Sequence, residues 1–482
     1  MSYARDLVFH FDRLAGEGLE YAVRRHHARR LKKLGWERAL DPSPDGWAAA
    51  YPVRTGNSIE VLIDGEQAFP AITEAIASAR SHVHYAGWYI NPDFGIVRGD
   101  EELAVRDLLE ETARRIPVRV LMWAGAPLPW RYETSRPDVH DRAVELCRTS
   151  RVHYAADSRE RPLHCHHEKI IVVDDEVAFV DGIEPTVAGG DRFDSNDHRH
   201  RGERGWHDAG TRLRGPIVAD VADHFRMRWK EVVGEELPAP KPSAPQGNVK
   251  AQIVRTVPER IYRALPTGDF SILESYTRAL RSARRLIYIE NQFLWSPHIV
   301  DILHDHLHDP PASEFRVVLV LPSRPTTGMD DTMGQLGLLV QADRDDRLLA
   351  CTLRARAGAR SEQIYVHAKV GIVDDRWLTI GSANLNNHSL FNDTEMNVVT
   401  HDADLTTQTR RRLWAEHLEM SEEDAAGDPV ALIDEVWRPT AAEQLRRFQE
   451  GKPLTHRLVA LPHLSKRSKR FIGPLQGLFV DG

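Results

Sequence analysis

Residues 167–174 read HEKIIVVD, and residues 367–374 read HAKVGIVD. Both follow the pattern His-x-Lys-x-x-x-x-Asp. Successive side chains of a strand point to opposite faces, so His167 and Lys169 share one face, as do His367 and Lys369. The residues after each pair, IIVV and VGIV, are all apolar or glycine, which fits a strand buried on both sides. Each motif therefore sets an imidazole beside an ammonium at the mouth of a buried strand. Asp174-Asp175 and Asp374-Asp375 mark a turn after each strand.

The match extends beyond the motifs. SARSHVHYAGWYI at 78–90 parallels SARRLIYIENQFL at 282–294, and VRVLMW at 118–123 parallels FRVVLVLP at 315–322. Ahead of the first pair, Ile72, Ile76 and Ala79 recur at helical spacing, and so do Tyr276, Leu280 and Ala283. Matched segments in one order mean that the chain holds two copies of one α/β unit. The Pro-rich stretch EELPAPKPSAPQGN at 235–248 lies between them and suits a semi-extended connector. The expected organisation is an N-terminal helical extension over 1–57, a first half over 58–237, a linker over 238–249, and a second half with a C-terminal tail over 250–482.

Composition narrows the class. The chain has 482 residues, a net charge of −8 and 41% apolar residues, which suits a soluble protein with a large core. The acidic balance argues against a dedicated nucleic-acid binder. Cys147, Cys165 and Cys351 are few and far apart, which speaks against a disulfide framework and for a reducing compartment. The first residues lack the basic and apolar regions of a secretory signal. No run of about 18 apolar residues is present, so any membrane contact is expected to be peripheral, from the cytoplasmic side. The basic run RRHHARRLKK at 24–33 reads as a solvated helix face, and LSKRSKRFIGPLQGLF at 464–479 as a tail packed on the surface.

Paired His-Lys motifs suit phosphodiester cleavage. A neutral imidazole can attack phosphorus, a protonated one can donate to the leaving oxygen, and lysines can balance charge on the phosphoryl oxygens. A metal reading of Cys165, His166 and His167 is set aside. Neighbours on a strand point to opposite faces, and Tyr365, Val366 and His367 offer no matching ligands.

These residues resemble the phospholipase D superfamily, in its eukaryotic-type branch. The resemblance rests on HHEKIIVVDDEVAFVDGIE (166–184), DRFD (191–194), the Trp-His-Asp at 206–208, YIENQFLW (288–295), YVHAKVGIVDD (365–375) and IGSANLNNHSLFNDTEMNV (380–398). It implies two similar α-β-α sandwich halves with mixed sheets, related by a pseudo-twofold axis. It also implies that His167 is the nucleophile and His367 the general acid, with Lys169, Lys369 and Asn384 binding phosphate and Ser382 assisting. Asp208 and Glu395 would stand behind the histidines. Glu290 and Gln292, at a strand end, are candidate substrate-binding residues. So is Glu184, which occupies the place of Asn384 and would sit behind the phosphate or on the leaving-group side. Asp174 and Asp374 would hold structure. Trp88 and Tyr89 read as core aromatics. The loop SNDHRHRGERGWHD (195–208) reads as solvated, with no chemistry beyond Asp208.

The implied activity is hydrolysis of phospholipid head groups, with transfer to small alcohols, by a chain that can act as a monomer and needs no cofactor, metal or calcium. Phosphatidyl transfer of the cardiolipin-synthase type and a nuclease of the same superfamily are the alternatives.

Overall fold

The computed structural model describes residues 2–461 apart from 50, 101, 128–133, 149, 187–189, 196 and 326–328. The C-terminal tail at 464–479 lies outside the described residues.

The first half uses β1 (Arg54–Ile63), β2 (Val83–Gly87), β3 (Val118–Trp123), β4 (His153–Asp157), β5 (Ile170–Val173), β6 (Val177–Asp181), β7 (Trp206–His207) and β8 (Ala209–Arg214). The second uses β9 (Val249–Val257), β10 (Leu286–Glu290), β11 (Arg316–Val320), β12 (Leu348–Ala357), β13 (Arg360–Val366), β14 (Val370–Val373), β15 (Trp377–Gly381) and β16 (Glu395–Thr400). The first sheet runs β4-β3-β2-β5-β6-β8-β1, parallel over its first three strands and antiparallel over the rest. The second runs β12-β11-β10-β14-β15-β16-β9 with the same senses. Helices occupy corresponding places too. Asp64–Ala77 and Ser271–Ser282 follow the first strand of each half, and Val218–Val233 and Ala403–Leu418 follow β8 and β16.

Both faces of each sheet are covered, as the apolar motif strands require. Ile171 and Val173 pack with the helix Asp64–Ala77, while Ile170 and Val172 pack with the helix Val218–Val233. The halves also share cores. Ala251 and Ile253 of β9 join the layer under Val218–Val233, and Val61 and Ile63 of β1 join that under Ala403–Leu418. β1 pairs directly with β9.

Strand β1 starts at Arg54, inside the segment expected to precede the repeat. The basic run at 24–33 departs from the solvated reading. It lies on the long helix Ser2–Leu34, and only part of it faces water. Leu31 enters the core, His27 stacks on Phe391 at 4.1 Å, and Arg30 pairs with Glu259 at 2.6 Å. No helix among the described residues is long and apolar enough to cross a membrane. Cys147 and Cys351 are free thiols, and Cys165 is buried.

Candidate active site

Each motif histidine is held by the opposite half. His167 N–H and Glu168 N–H both donate to Thr394 O, at 2.9 Å each. His367 N–H and Ala368 N–H donate to His207 O, at 2.8 and 3.1 Å. The next residue along each accepting strand then supplies a carboxylate. Glu395 lies 3.0 and 3.1 Å from His167 Nδ1, and Asp208 Oδ2 lies 2.6 Å from His367 Nδ1. The acid of one half thus stands behind the histidine of the other. With Nδ1–H turned to a carboxylate, the Nε2 lone pair is left for chemistry.

The carboxylates differ in company. Glu395 also accepts from Ser382 Oγ–H and from Ser389 Oγ–H, the latter at 2.5 Å. Asp208 accepts otherwise from Ala209 N–H at 2.9 Å. Burial pushes the Glu395 carboxyl up to about 8, against the pull of Lys169 and the two serines. Burial raises Asp208 as well.

Cations crowd the same space. Burial, then Lys169 and Lys369, hold His167 well below the usual histidine range. Burial, then Lys369, Arg192 and Lys169, do the same to His367. Burial lowers Lys369 itself to about 7. A phosphate anion placed among these groups would oppose each of those shifts by favouring the charged forms. Lys169 Nζ donates to His167 O at 2.8 Å and lies 3.7 Å from Glu184 Oε2. Lys369 Nζ donates to His367 O and, at 3.3 Å, to Gln292 Oε1. Asn384 Nδ2 reaches the same Gln292 oxygen at 3.3 Å.

The other expected residues divide. Gln292 bridges Lys369 and Asn384, two of the expected phosphate-binding residues. Glu184 Oε1 accepts from Trp88 N–H and Tyr89 N–H at 2.6 and 3.0 Å, which ties the end of β2 to Lys169. Trp88 and Tyr89 are buried, and the Trp88 ring lies 6.3 Å from that of His167. Ser382 was expected at the phosphate, but its hydroxyl donates to Glu395. Glu290 was expected at the substrate, but its hydrogen bonds go to His207 at 2.7 Å, His417 at 2.9 Å and Tyr288. Both are small or central enough in the sheet for buried partners to claim them first. Asp174 accepts from the N–H groups of Arg80, Ser81 and His82, and Asp374 from those of Arg284, Arg285 and Leu286. Both begin turns in which two successive aspartates have φ between 53° and 60°.

The loop at 195–208 is not a solvated segment throughout. His198 and His207 are buried, because Asp64, Glu290 and Glu416 wait for them on other elements. Arg192 was also missed. It is buried, with its guanidinium 3.7 Å over the Trp206 ring, and Nε and Nη1 make no hydrogen bond. Its signal was the DRFD stretch at 191–194. A cavity of about 550 Å³ is lined in part by Val23, His27, His164, Trp295 and His388.

Comparison with known proteins agrees with this geometry. The family described as "Cardiolipin synthase, PLD-like domain" matches residues 276–416. Phospholipase D A of Dictyostelium discoideum is 25% identical over 467 residues, covering 76% of this chain and 36% of its own length. Phospholipase D alpha 1 of Ricinus communis is 26% identical, covering 79% and 67%. Phospholipase D zeta 2 of Arabidopsis thaliana is 22% identical, covering 87% and 60%. The chain thus spans between about a third and two thirds of these relatives. The phosphatidylserine synthase of Haemophilus influenzae shares the fold, with a TM-score of 0.50 at 14% identity over 80% of this chain and 93% of that one. With its doubled sheet order, reciprocal His-Lys motifs and phospholipase D relatives along most of its length, this chain is similar to members of the phospholipase D superfamily.

Proposed function

We propose that this chain cleaves the head-group phosphodiester of phospholipids through a phosphohistidine, passing the phosphatidyl group to water or to a small alcohol. The observation that carries the reading is the crossed pairing: His167 on Glu395, His367 on Asp208, with Lys169, Lys369 and the Asn384 amide beside them. In the first step, His167 Nε2 attacks phosphorus while its Nδ1–H stays on Glu395. His367 Nε2–H protonates the leaving alcohol. In the second step, His367 takes a proton from water or an acceptor alcohol, whose oxygen displaces His167 from phosphorus. Both histidines return to their starting states.

The carboxylates support this order of the two roles. An imidazolium is favoured by a close, undivided negative charge. Asp208 lies 2.6 Å from His367, whereas the charge of Glu395 is shared among His167 at 3.0 Å, Ser382 and Ser389. His367 is therefore the better acid and His167 the better neutral nucleophile. Lys169, Lys369 and Arg192 supply positive charge where the equatorial oxygens carry negative charge.

The substrate class rests on the relatives, which are named phospholipases D. The chain would meet its lipid as a peripheral protein at a membrane surface. Transfer to an alcohol is the second reading, favoured by the cardiolipin-synthase name of the family matching 276–416. A panel of phospholipids assayed with ethanol present tests both. Head-group release with phosphatidylethanol trapped by the wild type, and neither product from His167→Ala, is expected. Faster cleavage of single-stranded DNA than of any lipid would overturn the substrate assignment.

A further inference from the structure

Behind the Asp208–His367 pair lies a polar cluster that the reaction does not use. Asp64, His198, His207 and Glu416 come from three separate segments and are 0%, 2%, 0% and 9% exposed. One ligand-type atom from each lies within 4.8 Å of all the others. His207 Nδ1 is 3.1 Å from Asp64 Oδ1 and 3.3 Å from Glu416 Oε1. His198 Nε2 is 3.2 Å from Asp64 Oδ2 and 2.7 Å from Glu416 Oε1. Four ligands placed tetrahedrally at about 2.0 Å from zinc stand about 3.3 Å apart, a spacing that His207 Nδ1 already has to one oxygen of each carboxylate.

Direction matters as much as distance. His207 Nε2–H donates to Glu290 at 2.7 Å, which leaves the Nδ1 lone pair facing the cluster. Nδ1 makes no hydrogen bond, although two carboxylate oxygens lie within 3.3 Å of it. Asp64 Oδ2 and Glu416 Oε2 make none either. His198 Nε2–H donates to Glu416 Oε1 at 2.7 Å, and the remaining unpaired acceptors of this buried site are what a cation would satisfy. The surroundings match what metal-bound histidines require, a carboxylate on the far ring nitrogen. Glu290 fills that place for His207, and Asp194 Oδ2 faces His198 Nδ1 at 3.4 Å. The backbone is bent to bring the ligands in: Asp64 has φ 60° and His198 φ 42°, in the left-handed region that non-glycine residues avoid.

We propose that Asp64, His198, His207 and Glu416 bind one divalent transition-metal ion, with zinc the best match to two imidazoles and two carboxylates in a closed site. The ion replaces the proton between His198 Nε2 and Glu416 Oε1. It ties the start of the helix Asp64–Ala77 to the helix Ala403–Leu418, and so joins the two halves. Asp208 follows His207 in sequence, and its N–H donates to Asp64 Oδ1 at 2.9 Å. The ion thus acts as a brace behind the carboxylate that faces His367, and four protein ligands leave it no open position for substrate.

The test is elemental analysis of the full chain grown in zinc-supplemented minimal medium and passed over chelating resin. About one zinc per chain is expected, falling below roughly 0.1 in Asp64→Asn and His198→Gln. His164→Gln alters the separate His164–His388–Asp393 group and should retain the metal. Protein grown on cobalt should show the strong visible bands of tetrahedral Co(II). Wild type with less than roughly 0.1 metal per chain, cobalt protein without those bands, or loss of metal from His164→Gln alone would each overturn the proposal. The wild-type measurements need neither a folded variant nor any catalytic activity.

Discussion

Replacing Asp208 with asparagine removes one charge and keeps the shape. In the wild type Oδ1 accepts from Ala209 N–H at 2.9 Å and Oδ2 accepts from His367 Nδ1–H at 2.6 Å. The backbone donor fixes the new amide, because its oxygen must stay on Ala209 and its NH₂ must then face His367 Nδ1. Neutral His367 is forced to carry its proton on Nε2, and its imidazolium loses its counter-ion. A hydrogen bond to a charged group contributes about 1.5–3 kcal/mol, and about 1.36 kcal/mol is tenfold in rate. kcat should therefore fall about 10- to 150-fold, toward the upper end for so short and buried a pair. Asp208 favours protonated His367, so its loss lowers the histidine pKa further below a value that burial and Lys369 already depress. The alkaline limb of kcat, which reports loss of the acid's proton, should move to lower pH. Head-group release from mixed micelles between about pH 5 and pH 9, with folding checked by circular dichroism, measures both effects. A kcat within about threefold of wild type and an unmoved alkaline limb would refute the assignment of Asp208 as the support of the acid.

Glu395 sets a stability cost against its function. Its carboxyl is raised from 4.5 to about 8, so its stabilising contribution is full below the lower value and drains as pH rises to the upper one. Glu395→Gln should gain thermal stability relative to wild type between about pH 5 and pH 8 while losing phosphoenzyme formation; a Tm difference that does not change with pH would count against this. Arg192→Met should raise KM for phospholipid about tenfold without lowering Tm, since an unpaired buried cation is replaced by an apolar chain; an unchanged KM would remove Arg192 from phosphate binding. Asp374→Ala leaves three backbone N–H groups without their acceptor. It should cost about 2 kcal/mol in urea unfolding with activity per folded molecule retained, and a selective loss of kcat would give Asp374 a role in the chemistry instead.

The doubled α/β architecture was legible because local pattern and global fold agree. The four buried residues after each His-x-Lys could only be central strands, and the repeated helix and strand segments put them in matching places. The crossed pairing of acids and histidines was not legible. Glu395 and His167 are 228 residues apart, and Asp208 and His367 are 159 apart, so only the docking of the halves decides which acid meets which histidine. The polar loop at 195–208 and the basic run at 24–33 misled for one reason. A polar segment looks hydrated until its partners are known, and those of His198, His207 and Arg30 lie on distant elements. Ser382 follows from its motif and Glu290 from its place at a strand end, but neither says which neighbour claims a hydroxyl or a carboxylate first.

In the proposed reaction His167 is the group that carries the phosphatidyl intermediate. Rapid acid-free quenching of turnover with phosphate-labelled phospholipid, followed by peptide mapping, tests this directly. Label should appear on the peptide containing His167, stable in alkali and labile in acid. It should accumulate in His367→Ala and be absent in His167→Ala. Label on His367, or turnover in His167→Ala, would contradict it.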